Sequence, residues 1–140
     1  MTTPSKTIHS YEPRKGHGLA HDPIASIVGP RPIGWISSRS EDGQLNLAPY
    51  SFFNLFNYKP PIVAFSSVGF KDTIRNVQAT REFVVNLATR ALAEQVNLSS
   101  AAVSSDVNEF DLTGLSPVKS QIVAAPRVGL ALPVYDRMEI

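Results

Sequence analysis

The chain has 140 residues, 43% of them hydrophobic and 18% charged, with a formal net charge of +1. That composition fits one folded domain and excludes a disordered chain. A near-zero charge with scattered basic residues leaves no footprint for nucleic acid, and the lack of cysteine excludes disulfides, thiolate chemistry, Fe–S clusters and cysteine-bound zinc.

Residues 1–18 are polar, carry His9, Pro13, Gly16 and Gly18, and read as an N-terminal arm without the apolar core of a signal peptide. No apolar stretch approaches the ~20 residues of a membrane helix, so a cytoplasmic protein with no membrane partner is expected. A strand is predicted over residues 32–38, where Ile33, Trp35 and Ser37 alternate with Gly34, Ile36 and Ser38. Asp42-Gly43 then signals a hairpin, and the return strand covers residues 44–49. Residues 50–58 are rich in aromatics and asparagine. Residues 62–65 read as a buried strand, opened by Pro60-Pro61. The period changes over residues 70–80, where Phe70, Ile74 and Val77 share a helical face and Asp72 and Thr73 suit a first turn. Residues 82–87 form a strand again. A second helix is expected over residues 90–98, with Leu92, Val96 and Leu98 turned inward. A serine-rich connection covers residues 99–111, and a further strand residues 118–123. Short strands with two inserted helices suggest a small β-barrel with helical decoration.

The segment 66–73, Ser-Ser-Val-Gly-Phe-Lys-Asp-Thr, leaves a strand and enters a helix. A helix start presents unpaired N–H groups and partial positive charge, which suit a phosphate. Lys71 adds a full charge, and Ser66 and Thr73 add hydroxyls. The competing reading is an ordinary helix start capped by Asp72 or Thr73. In residues 46–54, small and polar residues alternate with aromatics and can line a flat slot for a planar heteroaromatic ligand. Against this, Phe52, Phe53 and Phe56 can simply be core, and Trp35 either walls a pocket or packs with its N–H satisfied. His17 and His21 have a helical metal spacing, but Gly18 and Pro23 argue for a solvated arm. Asp106, Glu109 and Asp111 read as a solvated face. Gly16-His17-Gly18 lacks the rest of a dinucleotide fingerprint, and no nucleophile elbow or zinc-protease pair is present. A chain without an acid/base or nucleophile set is either not an enzyme or one whose chemistry resides in a cofactor.

Taken in order, several segments resemble the flavin reductase-like family of FMN-binding split barrels. They are Arg31-Pro32-Ile33-Gly34-Trp35-Ile36-Ser37-Ser38, residues 46–54, Pro60-Pro61-Ile62-Val63, Lys71-Asp72-Thr73 with Arg75-Asn76, and residues 82–87. Tyr11-Glu12-Pro13, His21-Asp22-Pro23, Asn108-Glu109-Phe110 and Pro126-Arg127-Val128 are similar to the same group. The resemblance implies a mainly β fold with inserted helices, a Greek-key split barrel that forms a homodimer around FMN. It assigns the FMN phosphate to Lys71, Asp72 and Thr73 with Ser66 or Ser67 nearby. It assigns the ring and ribityl chain to Ala48, Pro49 and Ser51, with Trp35, Ser37 and Phe53 as walls. It implies hydride transfer from NAD(P)H to flavin and a partner such as a flavin-dependent monooxygenase or another electron acceptor. A non-catalytic, flavoredoxin-like FMN carrier is the alternative, as is an inactive fragment. The resemblance covers a domain at residues 19–128 and stops there. Residues 129–140 read as a divergent tail, so the barrel is expected to be incomplete at its C-terminus, with exposed edges and poor activity.

Overall fold

The computed structural model describes residues 8–130 and the backbone of residues 133–135. Two compact units divide the chain, Met1–Pro30 and Arg31–Ile140. In the first, a 3₁₀ turn at Pro13–Lys15 precedes helix α1, Pro23–Ile27. Asp22 caps α1 by accepting from the Ile24 N–H, and Pro23 occupies the position where a missing N–H costs nothing. The spacing of His17 and His21 does not build a metal centre among the described residues. Instead the His17 ring accepts the Leu19 N–H at 3.0 Å, and its carbonyl bonds the His9 ring at 2.8 Å. Of the arm at residues 1–18 and the tail at residues 129–140, the parts outside 8–130 and 133–135 lie beyond the described residues.

The second unit contains strands β1 (Gly34–Arg39), β2 (Leu45–Tyr50), β3 (Phe53–Tyr58) and β4 (Pro61–Phe65), then helix α2 (Asp72–Thr80) and strand β5 (Val84–Leu87). A 3₁₀ turn at Arg90–Leu92 leads into α3 (Ala93–Leu98), and α4 (Glu109–Thr113) precedes β6 (Pro117–Val118), β7 (Arg127–Val128) and β8 (Pro133–Tyr135). The main sheet has the order β2-β1-β5-β8, with β3–β4 and β6–β7 as separate antiparallel pairs. The fold is mainly β with a few helices, and among the described residues the sheet does not close. No described helix is long and apolar enough to cross a membrane.

β1 is central, and both of its faces are buried. Strand alternation sends Trp35 to one face, where it packs with Leu47, Leu92, Phe110, Leu115 and Val128. Ile36 goes to the other face, with Tyr50, Val63, Phe83 and Val85. Polar groups inside this sandwich are paired, as burial requires. The Asn86 amide donates to the Trp35 carbonyl and to Ser37 Oγ and accepts the Val128 N–H, tying β5 to β1 and β7.

Several expectations are revised. The stretch 62–65 is not a buried strand: among the described residues β4 pairs with β3 alone, and Val63 is the one buried residue of β4. Phe70 lies outside α2 and is 70% exposed; within α2 Thr73 and Asn76 are buried, and of the expected apolar face Val77 packs against the Ile36 layer. Leu98 is exposed, whereas Leu92 is buried and Val96 packs against the core. Of the strand expected at residues 118–123, only Val118 pairs, within β6.

Candidate functional site

β2 is an edge strand, and its free side organises the site. Within β2, Leu47 turns its N–H away from β1, where the Glu109 carboxylate accepts it at 3.1 Å. Pro49 has the same parity, so the edge loses nothing by its missing N–H. Asn46, Ala48 and Tyr50 face the opposite layer, toward α2. There Asn46 Nδ2 donates to Thr73 Oγ1 at 2.7 Å, and Asn76 Nδ2 donates to Ser38 Oγ at 3.2 Å. The first bond docks the start of α2 beside β2, and the second ties the middle of α2 to β1.

The start of α2 is not closed by a side chain. Lys71 is the cap residue, in extended conformation, and makes no side-chain cap bond. Neither Asp72 nor Thr73 caps the helix. Asp72 pairs with Arg75 at 2.7 Å, and Thr73 is taken by Asn46. The first-turn N–H groups therefore remain available to an anion, with exposed Lys71 beside them.

A cavity of about 440 Å³ spans this region. Asn46, Ala48, Pro49 and Tyr50 of β2 form its floor, and Lys71, Asp72, Thr73 and Arg75 one end. The chain at residues 99–103 and Glu109 close the other side. The cavity wraps around the open edge of β2, with Lys71 and Arg75 beside the Asp72 carboxylate at one end, the small residues Ala48 and Pro49 along β2, and Glu109 in the wall. Its size and this polarity match a planar ligand carrying an anionic tail.

Of the residues singled out in the sequence, Ala48, Pro49, Lys71, Asp72 and Thr73 share this cavity. The other six are not part of its lining. Trp35 is fully buried in the core, and its indole N–H donates to Ser99 Oγ at 3.0 Å, so it supports the cavity through Ser99. Ser37 is fully buried and donates to the Pro126 carbonyl at 2.5 Å. The walls expected of Trp35 and Ser37 are thus core, because β1 is covered on both faces. Phe53 packs against the Ile36 layer, and Ser51 begins the turn between β2 and β3. Ser66 is exposed, with its N–H bonded to the Phe52 carbonyl. Ser67 Oγ is buried without a hydrogen-bond partner, as is Tyr50 Oη.

Burial raises the Tyr50 pKa; the hydroxyls of Thr73 and Ser67 lie near enough to temper that rise, without an aligned hydrogen bond. Sequence reasoning missed Tyr50, Arg75, Ser99 and Glu109 as cavity residues. Glu109 is the clearest correction: it is only 7% exposed, not part of a solvated face. Burial lifts its pKa above the usual carboxylate range, its own N–H and that of Leu47 pull the other way, and Asp72 adds to the rise. The readable signal was Asn108, which caps α4 through the Phe110 N–H at 3.0 Å and swings Glu109 back onto β2.

The chain thus combines a mainly β domain with an edge-strand cavity beside an uncapped helix start. The family model for the flavin reductase like domain matches residues 29–136, past residue 128, and the chain belongs to that family. An uncharacterised protein of Aquifex aeolicus is 40% identical over 129 residues, covering 81% of this chain and 66% of its own. The YwrF protein of Bacillus subtilis is 35% identical over 109 residues, covering 75% of this chain and 53% of its own. Among solved structures, nitrilotriacetate monooxygenase component B from Bacillus cereus superposes with a TM-score of 0.77 at 27% identity, over 91% of this chain and 65% of that one. The Pseudomonas fluorescens 2-nitrobenzoate 2-nitroreductase gives 0.70 at 33% identity, over 77% and 53%. The chain thus spans between about half and two thirds of the length of these relatives.

Proposed function

We propose that the cavity at the β2 edge holds FMN and that the domain serves hydride transfer from NAD(P)H to that flavin. The observation that carries this reading is the shared cavity: the uncapped start of α2 with Lys71 opens into the space bordered by Ala48 and Pro49. When bound, the flavin would supply the redox chemistry of hydride transfer. The protein's own task is placement. Lys71, Thr73 and the first-turn N–H groups of α2 hold the phosphate, and Asp72 contributes through its backbone, since its carboxylate pairs with Arg75. Ala48 and Pro49 present a flat, unhindered strand edge to the ring. Fixing the acceptor in this way supplies the alignment that hydride transfer needs, with no protein nucleophile.

The relatives named as a monooxygenase component and a nitroreductase support reduction of a further acceptor, a partner oxygenase among them. The working form is a homodimer. Its support is the β3–β4 hairpin, where Phe52, Leu55, Phe56, Tyr58 and Ile62 are all exposed, the kind of apolar surface that marks an interface.

The test is a flavin titration followed by anaerobic mixing with NADH or NADPH. The reading expects FMN to bind and its visible absorbance to bleach without another protein. FMN binding without bleaching leaves an electron carrier instead. Lys71→Ala should weaken FMN binding by about 1.5–3 kcal/mol, the scale of a charge-assisted hydrogen bond. Unchanged affinity removes Lys71 from the site.

A further inference from the structure

The Glu109 side chain is buried in the cavity wall without being used up by the scaffold. One carboxyl oxygen, Oε2, accepts the Leu47 N–H at 3.1 Å and fixes α4 to the edge of β2. The other, Oε1, makes no hydrogen bond to another residue among the described residues; beyond Leu47 the carboxylate meets only its own N–H, and the residue is over nine-tenths buried and lines the cavity. Its position along the cavity is set by Leu47. On one side of Leu47, Asn46 reaches Thr73 and the cationic end; on the other, Ala48 and Pro49 form the flat floor.

A carboxyl group is a poor neighbour for a phosphate and for the apolar face of a ring, but a good acceptor for hydroxyl groups. An FMN lying along this cavity, phosphate toward Lys71 and ring over Ala48 and Pro49, would place its hydroxylated chain between those two ends. We propose that Glu109 reads the polyol chain of the ligand, its Oε1 accepting a hydrogen bond from a ribityl hydroxyl while Oε2 keeps the strand edge. This rests on the FMN reading of the same cavity. The upward direction of the carboxyl's pKa shift, set first by burial, does not conflict with this placement.

Three probes separate the contributions: lumiflavin, with neither polyol nor phosphate; riboflavin, with the polyol alone; and FMN, with both. Dissociation constants come from quenching of flavin fluorescence. Wild-type protein should bind riboflavin about tenfold more tightly than lumiflavin, the worth of one retained hydrogen bond. Glu109→Ala should weaken riboflavin and FMN about tenfold and leave lumiflavin unchanged. Glu109→Gln, whose amide oxygen still accepts from Leu47 and whose NH₂ still meets a hydroxyl, should stay within about threefold of wild type for all three. Equal loss of lumiflavin and riboflavin in Glu109→Ala marks a scaffold role only and overturns the proposal, as does no loss of either. Should the alanine variant fail to fold, equal affinity of the wild type for riboflavin and lumiflavin overturns it independently. Wild-type protein that binds none of the three defeats the FMN reading itself.

Discussion

At the scale of single residues, burial of polar groups against the edge of β2 decides the site. Glu109 is a buried group with a consequence for pH. Its folded-state pKa lies above its ordinary 4.5, so the native state holds the proton more tightly than the unfolded chain does. The stability this contributes is complete below 4.5 and is lost as pH rises through the folded value. Glu109→Gln cannot ionise and keeps the same shape. Its melting temperature relative to wild type should therefore increase between about pH 4 and about pH 7. A difference that stays constant across that range would show that Glu109 titrates as an ordinary surface carboxylate. Glu109 was misread from sequence because its neighbours Asp106 and Asp111 are indeed exposed, and charge pattern alone cannot reveal that the Asn108 cap turns one member of such a run inward.

At the scale of elements, close packing of the β3–β4 hairpin on the sheet sets the layer under α2. Gly34 faces Phe53 so tightly that a Cβ there would stand 2.5 Å from Phe53 Cδ2 and 2.6 Å from Cγ. Gly34→Ala should cost about 1–3 kcal/mol in urea unfolding, the usual scale of overpacking. Pairing it with Phe53→Leu should recover part of that loss. An alanine variant as stable as wild type would mean that the hairpin shifts freely. Much of this layer was legible: β1, β2, α2 and β5 fall within segments that the sequence assigns to strand or helix, although α2 buries Thr73 and Asn76 and has no capping side chain. β3 was not, since residues 53–58 (Phe-Asn-Leu-Phe-Asn-Tyr) lack strict alternation and expose nearly every side chain, so their pattern matches no buried face. Helix α4 was hidden for a different reason. It is five residues long inside a serine-rich stretch, and only its terminal signals, Asn108 and left-handed Gly114 (φ 67°), announce it. The cavity was half legible: the helix start and the strand beside it were readable, whereas Trp35, Ser37 and Phe53 belong to core layers whose depth depends on which elements cover β1.

At the scale of the whole molecule, the hairpin that packs through Phe53 leaves its outer surface apolar. Phe56 is 70% exposed and Tyr58 74%. A dimer built on this surface should appear as twice the 15.2 kDa chain mass in light scattering, and Phe56→Lys should shift it to monomer. A monomeric wild type would remove the homodimer. The family assignment rests on residues 29–136 and stands apart from that outcome. The central claim is that the start of α2 selects an anion attached to the flat ligand lying along β2. Parallel titration of wild-type protein with FMN and riboflavin tests it most directly. The account predicts FMN to bind at least about tenfold more tightly, with the gap closing at high salt. Equal affinity for the two flavins, or binding of neither, would contradict it.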